Sequence, residues 1–201
     1  EQSAADCYSP EECRKLLDAL HGDPLELPIT LAVLYGLRRS EVLGLRWSAI
    51  DFEQNTITIS HTVTSCNLDG KCVIVAKDTT KTKSSRRTLP LVPYFHEKLL
   101  AVKAQQERNQ KLCGRSYNRE FLEYICVDDI GDRFKPNYIT SQFPKLLERN
   151  SFRKIRFHDL RHSCASLLLA SGVPMKHIQE WLGHSDFSTT ANIYAHLDYS
   201  S

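Results

Sequence analysis

The sequence predicts an α+β domain, mainly helical, with one small antiparallel sheet. Three observations predict it. Helix-type apolar spacing with cap signals runs from Ser9 to Trp47, and again from Pro136 towards the C-terminus. Between these stretches, Thr56 to Val63 alternates and is rich in β-branched residues. Asn67-Leu-Asp69-Gly70 then supplies a turn that sends the chain back on itself.

The first helix starts at Ser9-Pro10-Glu11-Glu12, with Ser as N-cap, Pro at the first position and Glu at the third. It reaches about Leu20 and stops near Gly22. A second helix covers Leu25 to Leu34 and ends at Gly36. A third opens at Ser40-Glu41, with Val42, Leu45 and Trp47 as its apolar positions. The alternating stretch Thr56 to Val63 forms a strand, Lys71 to Lys77 returns, and Arg87 to Leu91 adds a third strand that stops at Pro90. Thr79 to Ser85 is polar and reads as an exposed hairpin tip. Pro93 to Cys113 is a long polar-faced helix, and Leu122 to Val127 reads as a short buried strand. Helices follow at Pro136 to Glu148, Phe157 to Ala170 and Val173-Pro174 to Leu182-Gly183. A last one begins after Ser188-Thr189-Thr190.

The chain has 201 residues, enough for one substantial core. No apolar run is long enough to span a bilayer, and Glu1 to Asp6 lacks the basic start and apolar stretch of a signal peptide. The seven cysteines follow no regular spacing, which favours a reducing compartment. Cys66 and Cys72 flank the turn at Asn67 to Gly70 and are expected to face each other across the hairpin, reduced. The net charge is only +2, but it is unevenly distributed. Lys77, Lys81, Lys83, Arg86 and Arg87 face one acid, Asp78; Arg149, Arg153, Lys154, Arg156 and Arg161 face Asp159. One basic face on a nearly neutral protein fits this pattern, as do two merely solvated stretches.

The polar residues that could carry chemistry gather late in the chain. His158 and Arg161, three positions apart, share one helix face near the helix start, where backbone N–H groups favour an anion. Arg161 adds a planar fork suited to phosphate oxygens. The structural alternative is that Arg161 pairs with Asp159 and His158 caps the helix. His184 follows Gly183 at a helix end, and Tyr194 lies ten residues on. Each alone reads equally as packing. Upstream, Gly36-Leu-Arg38-Arg39-Ser-Glu41 places an arginine in a tight turn before a helix, with Glu41 positioned to orient the Arg38 guanidinium. Lys81 and Lys83 sit on the polar hairpin tip.

These motifs resemble, in one order along the chain, those of the tyrosine recombinases, the phage-integrase-type site-specific recombinases. The chain is most similar in flavour to integrases of bacterial conjugative transposons and Gram-positive phages. The resemblance runs from Ser9 to just past Tyr194 and implies a tyrosine-recombinase catalytic core. It implies that Tyr194, rather than Tyr199, attacks a DNA phosphate, forming a 3′-phosphotyrosyl link and releasing a 5′-hydroxyl. Arg38 and Arg161 would hold the non-bridging oxygens, His184 would donate a further hydrogen bond, and His158 would accept the tyrosine proton. Lys81, with Lys83 as alternate, would protonate the leaving oxygen, and Glu41 would brace Arg38. Arg39, Lys77, Lys83, Arg86 and Arg156 are assigned to DNA contacts.

The resemblance also implies the setting. The partner is double-stranded DNA at specific recombination sites. The working state is a homo-oligomer, a tetramer, sharing C-terminal tails between subunits and open to an accessory excision factor. The location is the bacterial cytoplasm, in association with the nucleoid. No cofactor or metal is required, since two arginines can supply the charge that a metal supplies elsewhere. Residues 1–201 read as a catalytic-domain fragment, without the core-binding and arm-binding domains that relatives carry and with a tail cut short after Tyr194. Three other readings stay open: a type IB topoisomerase using the same chemistry within one duplex, a DNA-binding module without catalysis, and a metal-dependent hydrolase built on His158, His162 and His184.

Overall fold

The computed structural model describes residues 7–79 and 86–183. The elements in order are α1 (Pro10–Ala19), α2 (Glu26–Tyr35), α3 (Arg39–Leu43), β1 (Ile50–Asp51), β2 (Thr56–Ile59), β3 (His61–Leu68), β4 (Lys71–Asp78), β5 (Arg87–Pro90), α4 (Pro93–Cys113), α5 (Pro136–Arg149), α6 (Asp159–Ala170) and α7 (Met175–Leu182). The domain is α+β and mainly helical, as the sequence predicts. Among the described residues, no helix is long and apolar enough to cross a membrane.

Helix α2 is the centre. Every residue from Pro28 to Tyr35 is buried. A helix that is apolar on all sides must be covered on all sides, and α1, α3 and α6 pack on it. One part of the core joins α2 to the sheet, α4 and α7 through Tyr35, Leu37, Ile57, Leu89, Phe95 and Trp181. The other joins α1, α2, α5 and α6 through Leu16, Ile29, Phe143 and Leu160. The predicted start of α1 is realised as a full capping box: Glu12 N donates to Ser9 Oγ at 3.2 Å, and Ser9 N donates to Glu12 Oε2 at 3.0 Å.

The strand expected over Thr56 to Val63 divides at Ser60. β2 lies between β1 and β5 in a three-stranded antiparallel sheet, whereas β3 pairs only with β4 as a two-stranded ribbon. The ribbon closes on Asp69 and Gly70, both at positive φ, the conformation a two-residue hairpin turn requires. Its register sets Cys66 against Val73 and Cys72 against Asn67. Adjacent residues of a strand point to opposite faces, so Cys66 and Cys72 do not face each other. That expectation is corrected by one residue of register.

Two other expectations change. The third helix ends at Leu43, and Leu45 and Trp47 pack from beyond it. The cap at Gly44 is pressed so closely on β3 that a Cβ there would lie 2.3 Å from the His61 carbonyl oxygen. Leu122 to Val127 is not a strand. Tyr124, Ile125 and Cys126 are buried, but the segment makes only isolated bridges, Arg46 to Tyr124 and Val127 to Arg133. Its backbone is satisfied singly instead: Ile125 N donates to Leu45 O and Trp47 N to Glu123 O. The helix expected after Ser188 lies outside the described residues.

Candidate active site

The site begins where α2 ends. Gly36 is the C-cap, at φ 64° and ψ 28°. This left-handed conformation favours glycine. The neighbourhood demands it too, because a Cβ on Gly36 would lie 2.1 Å from Leu182 Cδ2 and 3.4 Å from Cys164 Sγ. The ends of α2 and α7 and the side of α6 therefore meet around one residue without a side chain. Two residues on, Arg38 is the extended N-cap of α3. Glu41, at the third helical position, reaches back to accept from Arg38 N at 2.9 Å. The Arg38 guanidinium projects outward, half exposed, with Nη1 3.7 Å from Glu41 Oε1.

Arg161 reaches the same place from the first turn of α6. Nη1 donates to Gly36 O at 2.7 Å and Nη2 to Leu182 O at 2.6 Å. The alternative pairing with Asp159 is not made. Asp159 is taken by Arg156, through its backbone N at 2.8 Å, Nε at 3.1 Å and Nη2 at 2.9 Å. Among the described residues, Arg161 therefore has carbonyl partners and no ion pair. Burial, then the charges of Arg38 and Arg87, lower its pKa to about 10, which leaves it cationic at neutral pH.

Arg87 is the residue that the sequence reading missed. Its side chain is 0% exposed, and Nη1 and Nη2 donate to Glu41 Oε2 and Oε1 at 2.7 and 3.2 Å. Nε donates to Trp181 O at 3.0 Å. Glu41 thus braces Arg38 chiefly by accepting its backbone N–H on Oε1, while the carboxylate charge is matched by Arg87. Burial raises the Glu41 pKa, but the adjacent Arg87 guanidinium, with the Arg38 N–H and charge, more than reverses this and holds it below the usual range. A signal was present: β5 alternates, so Arg87 shares the inward face with Leu89, and a buried arginine needs an acid.

Three guanidinium groups, Arg38, Arg87 and Arg161, surround one carboxylate, Glu41, so the cluster carries a net surplus of positive charge. With Arg87 committed to Glu41, the surplus lies on Arg38 and Arg161. Such a pair can hold the non-bridging oxygens of a phosphodiester and gains as charge builds there.

His158 stands at the N-terminal edge of α6, exposed, and its side chain caps nothing. Its ring meets that of His162 edge-on, with centroids 5.3 Å apart. Partial burial, then His162 and Arg161, lower its pKa below the ordinary value. A neutral imidazole at pH 7 is a proton acceptor. Among the described residues, no group of three or more His, Cys, Asp or Glu could hold a metal ion.

Of the residues assigned to DNA, Lys77 and Arg86 are exposed on β4 and just before β5. Arg39 Nη1 donates to Thr140 Oγ1 at 2.5 Å, and Arg156 is held on Asp159. Lys81, Lys83, His184 and Tyr194 lie outside the described residues. The chain leading to one of them is fixed: Arg87 and Arg161 hold the successive carbonyls of Trp181 and Leu182, immediately before Gly183 and His184.

The model of the phage integrase family matches residues 8–201. The chain belongs to that family. It is 31% identical over 202 residues to a tyrosine recombinase XerC-like protein of Caldanaerobacter subterraneus subsp. tengcongensis, covering 98% of this chain and 51% of that protein. It is 31% identical to the ICEBs1 integrase of Bacillus subtilis, covering 94% of this chain and 50% of that one. The chain thus spans about half the length of these curated relatives. Its fold is that of the Tn1549 transposon integrase in complex with a circular intermediate DNA, with a TM-score of 0.71 at 21% identity, covering 97% of this chain and 63% of that one. It is also that of the XerA recombinase, with a TM-score of 0.64 at 21% identity, covering 96% and 61%. The small sheet and helical body of this integrase-family chain match both.

Proposed function

We propose that this chain is the catalytic domain of a site-specific DNA recombinase that integrates or excises a mobile element. The observation that carries the reading is Arg161, partly buried and held on two carbonyls, with Arg38 as its cationic neighbour and the nearby Glu41 carboxylate already matched by Arg87. Family membership supports the rest. Tyr194 attacks the scissile phosphorus, the bond to the 5′-oxygen breaks, and a 3′-phosphotyrosyl link remains. A 5′-hydroxyl from a second strand later reverses the step, so the exchange of one phosphodiester for another needs no external energy source.

Each role answers a physical demand. Free tyrosine is only about 0.1% phenolate at pH 7, a deficit of about 4 kcal/mol. Neutral His158 accepts its proton and the cationic site favours the phenolate. Arg38 and Arg161 stabilise the phosphorane oxygens, with His184 as a further donor. An alkoxide leaves poorly, and Lys81, or Lys83 in its place, protonates it. Lys77, Arg86, Arg39 and Arg156 provide backbone contacts that position without reading sequence.

The substrate is double-stranded DNA at paired recombination sites. The working assembly is a tetramer on DNA with tails exchanged between subunits, modulated by an accessory excision factor, in the bacterial cytoplasm at the nucleoid. The XerC-like, ICEBs1 and Tn1549 relatives support this reading. The test is mass spectrometry of the covalent complex on a nicked suicide DNA substrate. A DNA adduct on the Tyr194 peptide is expected; an adduct on Tyr199, or none, sinks the assignment.

A further inference from the structure

Four side chains outside the arginine site converge at the end of β4. His61 stands directly across from Asp78 in the ladder. Its Nδ1 lies 2.7 Å from Asp78 Oδ1 and its Nε2 lies 2.8 Å from the Tyr124 hydroxyl. Arg46 Nη2 donates to the same Asp78 oxygen at 3.2 Å. The imidazole is 10% exposed, whereas its carboxylate partner is 62% exposed. Tyr124 is fixed in turn by the Arg133 guanidinium, 4.8 Å from its ring centroid, and by its backbone bridge to Arg46. With both ring nitrogens engaged, the imidazole has one orientation.

What lies on either side gives this cluster a use. The His61 carbonyl is the atom against which Gly44 closes the end of α3, the helix that Arg38 begins. On the other side, Thr79 N donates to Ser60 O at 2.8 Å. Lys81 and Lys83 are the third and fifth residues after Asp78. The ends of a two-stranded ribbon fray unless tied down. Here the end that leads to the lysines is tied to the body by a histidine, a tyrosine and an arginine from three separate segments.

We propose that His61 is a positioning residue for strand cleavage: with Asp78, Tyr124 and Arg46 it fixes where the lysine-bearing segment departs relative to α3 and Arg38. This rests on the reading above, in which a lysine of that segment is the acid. In that step the Tyr194 oxygen bonds to phosphorus, and the bond from phosphorus to the 5′-oxygen breaks. The departing oxygen keeps the electron pair and takes the lysine proton. The lysine must meet that oxygen while the arginines hold the phosphorus, and a displacement of about 1 Å can cost about a hundredfold.

The experiment compares two nicked DNA substrates in the full chain, one with the natural 5′-bridging oxygen and one with sulfur in its place. A thiolate leaves without a proton, so sulfur removes the need for the acid. Tyr124→Phe deletes a single hydroxyl, and His61→Ala deletes the hub; circular dichroism confirms that each is folded. Both variants are expected to form the covalent complex about tenfold to a hundredfold more slowly on oxygen, and within about threefold of the parent on sulfur. Lys81→Ala and Lys83→Ala, run alongside, identify the acid by the same recovery. Equal losses on both substrates, or no loss on oxygen from either clasp variant, overturn the positioning role. So does the absence of sulfur recovery in both lysine variants, because no acid then remains to be positioned. A parent chain that forms no covalent complex on either substrate counts instead against the recombinase reading itself.

Discussion

Glu41 and Arg87 form a buried ion pair, with Arg87 Nη1 2.7 Å from Glu41 Oε2 and side chains 0% and 4% exposed. The pair joins the first turn of α3 to the start of β5. Through Arg87 Nε it also reaches the end of α7. Removing one partner leaves the other charged and desolvated, at a cost of about 3–5 kcal/mol. Arg87→Met is therefore expected to lower unfolding stability by about that amount, measured by denaturant titration. The double variant Arg87→Met/Glu41→Met should recover much of the loss, although the Arg38 N–H loses its cap. A single variant within about 0.5 kcal/mol of the parent would contradict a buried pair.

The same carboxylate sets an acid limb. The Glu41 pKa in the folded chain is lowered relative to the unfolded chain. Its contribution is therefore fully present above the unfolded value, about 4.3, and is lost as pH falls through the lower folded value. Glu12 and Asp159 shift in the same direction, so the parent alone does not isolate the effect. Glu41→Gln should make stability less steep in pH below about 4.3. Parallel parent and variant curves would show that Glu41 titrates alike in both states.

What the sequence makes legible depends on range. Ser9 and Glu12 satisfy each other three residues apart, so the start of α1 reads directly. Arg38 and Arg161 are recognisable by residue type and neighbours, but the carbonyls that hold Arg161 come from Gly36 and Leu182, at other helix ends. The partner of Arg87 could not be named, although its inward strand position was visible. The break at Ser60 leaves no trace in the pattern, because the alternation from Thr56 to Val63 continues unbroken while the pairing strand changes from β5 to β4. Leu122 to Val127 fails in the opposite way. Its apolar run looks like a strand, but among the described residues no neighbouring strand offers it a ladder, and Glu123 O, Ile125 N and Cys126 O bond to Trp47, Leu45 and Phe134 in separate segments.

Arg161→Lys separates chemistry from affinity. The guanidinium spans Gly36 O and Leu182 O with its two terminal nitrogens. An ammonium is a point charge and cannot keep both carbonyls and a phosphate oxygen in one plane. Single-turnover cleavage is expected to fall by about a hundredfold to a thousandfold, while DNA binding, carried by many phosphate contacts, changes by less than about threefold. Arg38→Lys should behave in the same way. Equal losses in cleavage and binding would reduce both arginines to ordinary DNA contacts.

The His158 assignment is tested by pH. A general base must be deprotonated, so the cleavage rate should rise with pH as the imidazole loses its proton and then level off. Burial, His162 and Arg161 place that loss below the ordinary value near 6.5, so the plateau should already be reached at neutral pH. His158→Asn should remove the rising limb and lower the plateau by about a hundredfold. His162→Asn should move the inflection upward, because one lowering neighbour is gone, and leave the plateau in place. A rate profile unchanged by His158→Asn would leave the Tyr194 proton with another acceptor.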